Sequence, residues 1–321
     1  MPVQRNQRIL IMIYPSIIVP WKGKFRRSER QTPICEASTV LADFPSIEGY
    51  YVDAAATTEK AYPWIARVVH SSSKDYPHMC TAVCMDDRVF ATAARCIYTL
   101  KINYTRVFYA GNAFKTIAFV LPSTPSRQSY DDIGFIVVNS KGFRGTWATI
   151  EPVAITRNDN YFKWFDTLLK KDKEYRTVGY AVPKVALWCP WNAFTKNDLV
   201  ALDVVILGRN ACSEIFAMNM MKAFYVPCYH SCSLKQFNKR SKSCRKYLGA
   251  EGAAIYNTAS KKLLGIATWS ASFYRYELPV GFSVPNSNNF YKDFKCAKAI
   301  RDDKTVVKKD GYYQSLCNQL K

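Results

Sequence analysis

The sequence lacks an apolar run long enough to cross a membrane as a helix, which takes about 20 residues. Its N-terminal apolar run, Ile9–Val19, follows Arg5 and Arg8 and contains Pro15. A basic start before a short apolar run is typical of a signal peptide. We therefore expect residues 1–49 to form a signal sequence with a basic linker, and the protein to be secreted. An uncleaved anchor through residues 9–21, or a misassigned start of the chain, remains the alternative.

Acidic residues are also scarce, with 25 Asp and Glu against 45 Lys and Arg, which gives a formal net charge of +20. A surplus of this size favours acidic partners such as sulfated glycans, nucleic acid, anionic membranes or acidic proteins, and it is also compatible with solubility alone. A hydrophobic content of 49% with 14% aromatic residues excludes an intrinsically disordered chain.

The sequence contains no pattern typical of a zinc finger. The spacing Cys228-x3-Cys232 resembles a ligand pair, but no second closely spaced Cys or His pair follows it. We therefore expect no metal and no other cofactor. The 11 cysteines favour disulfides formed in an oxidising compartment. Because 11 is odd, at least one thiol is free or pairs between chains.

No solenoid repeat is visible, and helical patterns are confined to Ala211–Met221 and Asn289–Ile300. From residue 50 onward, short β-rich runs separated by turn residues recur about every ten residues, which predicts an all-β barrel or sandwich over residues 50–300. These runs are Trp64–Val69, Val89–Thr92, Arg106–Tyr109, Ile133–Val138 and Ala201–Leu207. Residues 301–321 read as a basic C-terminal tail.

Two neighbouring stretches carry a family resemblance. Gly249–Ile255 reads G-A-E-G-A-A-I, and Leu264–Ser270 reads L-G-I-A-T-W-S. They resemble the nucleophile loop G-D-S-G-G-P-L and the following strand of the chymotrypsin/trypsin-like serine proteases. Further landmarks occur in the order of that family: Pro63-Trp64, His78-Met79-Cys80, Ala93–Cys96, Asp132–Ile136, Glu151–Ala154, Val178–Tyr180 and Gly281–Ser283. The resemblance implies two six-stranded antiparallel β-barrels, an active cleft between them and a C-terminal helix.

The resemblance places Arg95, Asp132 and Glu251 at the positions of the catalytic His, Asp and Ser. A guanidinium stays protonated and cannot act as a general base, and an ionised carboxylate has no hydroxyl nucleophile to offer. Loss of the triad costs about five to six powers of ten in turnover. The residues therefore predict an inactive homologue, in which Gly249 still occupies the position of an oxyanion-hole amide.

The activation machinery of the family is altered as well. Tyr51 precedes Val52, where the family has a basic cleavage site, and Ala250 replaces the aspartate that pairs with the new N-terminus. We expect Arg95 to bind Asp132 and Glu251 together, because one guanidinium can bond two carboxylates. The alternative is a Glu251 side chain that points to solvent.

The resemblance also implies the disulfides Cys80–Cys96 and Cys212–Cys228. Cys244 lacks its family partner, so Cys232–Cys244 is expected as a local loop, and Cys84 is expected as a buried free thiol. The resemblance assigns no partner to Cys35, Cys189, Cys296 or Cys317, and connectivity does not follow from sequence alone.

The segment Ser233–Lys246 is strongly basic and contains no acidic residue. Its six cations are Lys235, Lys239, Arg240, Lys242, Arg245 and Lys246. They suit a sulfated glycan or an acidic protein surface, whereas nucleic acid is not expected because no aromatic binding motif accompanies them. A solvated loop is the alternative.

The sequence also contains a glycosylation sequon, Asn103-Tyr104-Thr105.

Three functions are compatible with these features. The first is a secreted, non-catalytic homologue that binds an active protease, a zymogen or an inhibitor, as cofactor, decoy or regulator of an extracellular cascade. The second is a basic scaffold that binds glycans or surfaces. The third is a divergent endopeptidase that uses Glu251 or another residue.

Overall fold

The computed structural model describes residues 49–70, 78–98, 100–122, 132–153, 169, 174–183, 198–218, 227–269, 272–273, 276–286 and 288–302. These residues all lie within one compact unit, Glu36–Lys321. The predicted N-terminal segment up to residue 48 and the tail from residue 303 lie outside them. No helix in this described part of the chain is long and apolar enough to span a membrane.

The first barrel is formed by six strands rich in β-branched and aromatic residues, which favour a pleated, half-buried surface. Its strands follow two short N-terminal ones, β1 Tyr50–Val52 and β2 Ala55–Ala56, and are β3 Ile65–His70, β4 His78–Asp86, β5 Val89–Ala93, β6 Thr105–Tyr109, β7 Asn112–Val120 and β8 Ile133–Val138. They pair antiparallel in the closed order β3-β4-β5-β8-β7-β6. The hairpin β6–β7 turns at Ala110 and Gly111, both with positive φ, as a two-residue turn requires.

The second barrel is built from the later strands. They are β9 Tyr175–Pro183, β10 Asp198–Leu207, β11 Cys228–His230, β12 Tyr247–Leu248, β13 Ala254–Asn257, β14 Leu263–Trp269, β15 Ser272–Phe273, β16 Tyr276–Glu277 and β17 Val280–Ser283. The order β9-β13-β14-β17-β11-β10 is closed by antiparallel pairing of β9 with β10. Strands β1, β12 and β2 extend this sheet, and β15 with β16 forms a separate hairpin.

Among the described residues the helices are short, apart from the one that follows the second barrel. They are α1 Ala94–Tyr98, α2 Arg209–Met218, α3 Leu234–Asn238 and α4 Asn288–Asp302, with 3-10 turns at Ile102–Tyr104 and Lys242–Arg245. Helix α4 extends two residues into the predicted tail. The expected architecture of two six-stranded antiparallel barrels with a C-terminal helix is confirmed.

Helix α4 follows the second barrel but packs on the first. Phe290 and Phe294 each place their ring centroids 5.4 Å from that of Phe135 in β8. At the end of the helix, Arg301 Nη1 lies 2.9 Å from Asp86 Oδ1, at the end of β4. One buried cluster accordingly contains side chains of both barrels and of α4, so the last described element ties the two barrels together.

Candidate functional site

The three residues that the resemblance assigned to the triad positions lie on elements that meet between the barrels. Arg95 is the second residue of α1, directly after β5, and Asp132 directly precedes β8, which pairs with β5. Glu251 begins the turn that joins β12 to β13 in the second barrel. The backbone N–H of Ala94 donates to the Asp132 carbonyl at 2.9 Å, which fixes α1 beside the start of β8.

Arg95 and Glu251 form an ion pair across the junction of the barrels. Arg95 Nη2 lies 2.8 Å from Glu251 Oε1. The Glu251 side chain is only 13% exposed, whereas that of Arg95 is 42% exposed, so the cation covers the carboxylate. Glu251 Oε2 lies 4.0 Å from Cys96 Sγ, a contact without a hydrogen bond, because a disulfide sulfur carries no hydrogen. Glu251 therefore does not project into solvent as an unpaired carboxylate.

Asp132 is not the third member of a direct cluster. Among the residues described, no ion pair joins its carboxylate to the Arg95 guanidinium. Burial raises the Asp132 pKa to about 6, and this effect exceeds the opposing attraction of the Arg95 charge and hydrogen bonding from the Arg95 backbone. The expected Asp–Arg–Glu arrangement is thus reduced to a pair, because the guanidinium binds Glu251, whereas Asp132 is buried and hydrogen-bonded by the Arg95 backbone.

The loop that carries Glu251 is fastened to the first barrel by Thr81, a residue that the motifs did not single out. The Thr81 N–H donates to the Glu251 carbonyl at 3.0 Å. The Thr81 hydroxyl accepts from the Tyr180 N–H at 2.8 Å, and the Thr81 carbonyl accepts from the Thr92 hydroxyl at 2.7 Å. Gly252, with φ +80°, lies so close that a Cβ there would overlap the Thr81 carbonyl oxygen. Gly252, which matches a glycine of the nucleophile-loop motif, is the residue from which the sequence could have predicted this close approach.

The amide expected at the oxyanion-hole position is engaged within the protein. The Gly249 N–H donates to the Tyr50 carbonyl at 3.1 Å. Strand β1, which contains Tyr50, pairs with β12 and β9, and the Tyr50 ring stacks on Tyr247 at 4.9 Å. Ala250 is buried, at 1% exposure. The segment that leads into Val52 is therefore part of a strand of the sheet. Its Tyr50 carbonyl accepts from the amide that the resemblance assigned to the oxyanion hole.

The cysteines pair largely as expected. Disulfides join Cys80 to Cys96, Cys212 to Cys228 and Cys232 to Cys244, and Cys84 is a buried free thiol whose pKa is raised by burial. Cys296 is also disulfide-bonded. Cys35, Cys189 and Cys317 lie outside the described residues.

Within the part of the chain that the structure describes, two groups of side chains have the spacing of metal ligands. They are His230 with Cys232 and Cys244, and Glu251 with Cys80 and Cys96, each with its ligand atoms within 4.8 Å of one another. In both groups the two cysteines form a disulfide with each other, so neither offers a thiolate. The arrangement does not suit a metal ion while the disulfides are intact.

Asn103 lies on an exposed 3-10 turn of the first barrel, and its side chain is exposed. We expect the protein expressed in a glycosylating eukaryotic secretory system to carry an N-glycan here. Digestion with an endoglycosidase should then increase its mobility by one glycan, and Asn103→Gln should remove that shift. A band unchanged by digestion would refute modification at this sequon.

Comparisons with known proteins agree with this fold. A family model described as Trypsin matches residues 51–225. No curated protein matches the sequence. Among solved structures, the scabies mite inactivated protease paralogue S-D1 has 15% identity and a TM-score of 0.54, covering 78% of this chain and 98% of its own. A structure described as HL collagenase has 13% identity and a TM-score of 0.52, covering 77% and 98%.

A second inactivated paralogue of the scabies mite, S-I1, has 14% identity and a TM-score of 0.50, covering 78% of this chain and 99% of its own. At these identities the structures support the fold alone, whereas the family model covers more than half of the chain. With its two closed six-stranded barrels and the residues matched by that model, the chain belongs to the trypsin family.

Proposed function

We propose that this chain is a non-catalytic member of the trypsin family that acts by binding another protein. The observation that carries the proposal is the Arg95–Glu251 ion pair at the triad-equivalent positions. A proteolytic triad needs a neutral imidazole that accepts a proton and a hydroxyl that attacks the peptide. Here the two positions hold a permanent cation and a carboxylate that neutralise each other.

The surroundings of the pair support the same proposal. The Gly249 N–H is bonded to the Tyr50 carbonyl, so it does not point toward a developing oxyanion. Two structurally similar proteins are named as inactivated protease paralogues. Because the fold is retained with its disulfides, it offers a rigid surface for recognition. The proposed setting is extracellular, with an active protease, a zymogen or an inhibitor as the partner.

Peptidase activity tests the catalytic part of the proposal. We expect the purified protein to show no turnover of a quenched peptide library above that of the Glu251→Ala and Arg95→Ala variants, since the residue at each position lacks the needed chemistry. A fluorophosphonate probe should likewise leave Glu251 unlabelled. Turnover by the unsubstituted protein that Glu251→Ala abolishes would overturn the proposal and favour the divergent endopeptidase instead.

Affinity capture from extracellular fluid tests the binding part. The bait is the full chain, and the control bait has Lys239, Arg240 and Lys242 neutralised, so that partners held only by charge are lost. We expect a trypsin-family protease, its zymogen or a protease inhibitor to be retained by both baits. Retention of only charge-dependent proteins would contradict a specific protein partner.

A further inference from the structure

The structure organises the basic segment Ser233–Lys246, which we call the cationic loop, as a closed and exposed unit. The disulfide Cys232–Cys244 closes it across a sequence separation of 12 residues. All six of its cationic side chains are exposed: Lys235, Lys239, Arg240, Lys242, Arg245 and Lys246. The loop contains no Asp or Glu, so its charge is not compensated from within.

The backbone of the cationic loop is held by several local motifs. Helix α3 starts with a capping box between Ser233 and Gln236. It ends with two hydrogen bonds, from the Ser241 N–H to the Gln236 carbonyl at 3.1 Å and from the Arg240 N–H to the Phe237 carbonyl at 2.9 Å. This is the Schellman pattern. Fixing the backbone reduces the entropy lost when the cations bind a ligand.

The positive charge is placed where the local structure does not favour it. Arg240 has φ +52°, at the helix C′ position that normally holds glycine or asparagine. Lys235 and Lys239 are four residues apart, a spacing at which like charges repel. Within the described part of the chain, Lys235, Lys239, Lys242, Arg245 and Lys246 form no ion pair. These positions cost conformational and electrostatic energy. Five of the six cations nevertheless have no ion-pair partner among the described residues and can bind a ligand.

We propose that the cationic loop is a binding site for a sulfated glycan. Closely spaced sulfates along a flexible chain match a cluster of lysines and arginines fixed on one short, exposed loop. The only aromatic residue of the segment, Phe237, turns inward: it contacts the His230 ring at 4.9 Å and packs with Leu234 on a buried cluster. The cationic loop therefore presents no aromatic ring that could stack on nucleic-acid bases and no apolar side chain that could insert into a membrane.

This proposal is independent of the proposed function, since glycan binding requires neither a protein partner nor the Arg95–Glu251 pair. The two can also coexist, because the cationic loop and the pair use different residues.

The test measures heparin affinity of the full chain by calorimetry at low salt. The variant Lys235→Gln/Lys239→Gln/Lys242→Gln removes three of the five available charges, and glutamine forms helices about as well as lysine, so the fold should not be weakened. We expect its Kd for heparin to rise roughly tenfold, as three surface charge contacts of about 0.5 kcal/mol each would give. Its melting temperature should not fall.

The matched control is Lys101→Gln/Lys115→Gln/Lys141→Gln, which removes three exposed cations from the first barrel. It changes the net charge by the same amount. Its Kd for heparin should rise less than about twofold, because only the long-range electrostatic attraction is weakened. An equal loss in both variants would show that general charge, not the loop, binds heparin, and it would overturn the proposal.

Three further probes separate the chemistry of the ligand. Desulfated heparin should bind at least tenfold more weakly than heparin if sulfate is recognised. Double-stranded DNA and phosphatidylserine vesicles should bind more weakly than heparin at the same salt concentration. Tighter binding of DNA or vesicles, lost in the loop variant, would assign the site to nucleic acid or membrane and reject the glycan.

Discussion

Gly252→Ala is expected to lower the free energy of unfolding by more than about 4 kcal/mol, the range of the most severe single substitutions. At φ +80° an alanine is strained, and its Cβ would overlap the Thr81 carbonyl oxygen and lie 2.6 Å from Thr92 Oγ1. Thr81 cannot retreat easily, because it bonds Glu251, Tyr180 and Thr92. Denaturant unfolding followed by tryptophan fluorescence measures the loss.

Gly142→Ala is the matched control. Gly142 has φ +87°, but no atom lies within 4 Å of a Cβ built there. Only backbone strain remains, which costs about 1–2 kcal/mol. An equal decrease in the free energy of unfolding for Gly252→Ala and Gly142→Ala would show that the Glu251 loop does not pack tightly against the first barrel.

Asp132→Asn is expected to stabilise the protein by up to about 3 kcal/mol at pH 7, since each pKa unit corresponds to about 1.4 kcal/mol. Burial raises the Asp132 pKa from its ordinary value of 3.8 to about 6 in the folded protein. Between these values the folded state binds more protons than the unfolded state, so stability falls as pH rises. The gain from Asn should be small at pH 4, just above the unfolded pKa of 3.8, and should approach its maximum above pH 6.

The measurement is the difference in unfolding free energy between Asp132→Asn and the unsubstituted protein from pH 4 to pH 7, in which other titrations cancel. Asp302→Asn is a control of opposite sign, because Arg301 lowers the pKa of that exposed carboxyl. Its substitution should slightly destabilise the protein at pH 7. A difference for Asp132→Asn that does not change with pH would contradict the buried, ionised carboxylate.

The β-rich runs of the sequence predicted an all-β barrel or sandwich, and the family resemblance of the ordered motifs was needed to predict two barrels. Strand β8 was predicted with its observed limits, and β10 was predicted three residues short at its start. The limits of these strands could be predicted because the alternation of apolar and polar residues and the turn residues are local features of the sequence. Pairing of β1 with β12 was not predicted, since Tyr50–Val52 is too short to carry a strand signal and its place depends on a partner almost 200 residues away.

The candidate site was predicted less completely than the fold. The family resemblance placed Arg95, Asp132 and Glu251 near one another, but the expectation that the guanidinium would bind both carboxylates was wrong, since among the described residues it pairs with Glu251 only. That choice depends on side-chain rotamers and on the desolvation of Asp132, neither of which appears in a motif. Thr81 was missed for a related reason, since two of its three hydrogen bonds use its backbone, and the third depends on a hydroxyl whose partner the sequence does not reveal.

The packing of helix α4 on the first barrel has a consequence for how the chain is made. Phe135 is fully buried, and Phe290 and Phe294 supply part of its cover. During synthesis at about 5–20 residues per second, these covering residues emerge roughly 10–30 s after β8. For that interval Phe135 lacks this cover. We therefore expect the core of the first barrel to be completed only once helix α4 has been synthesised.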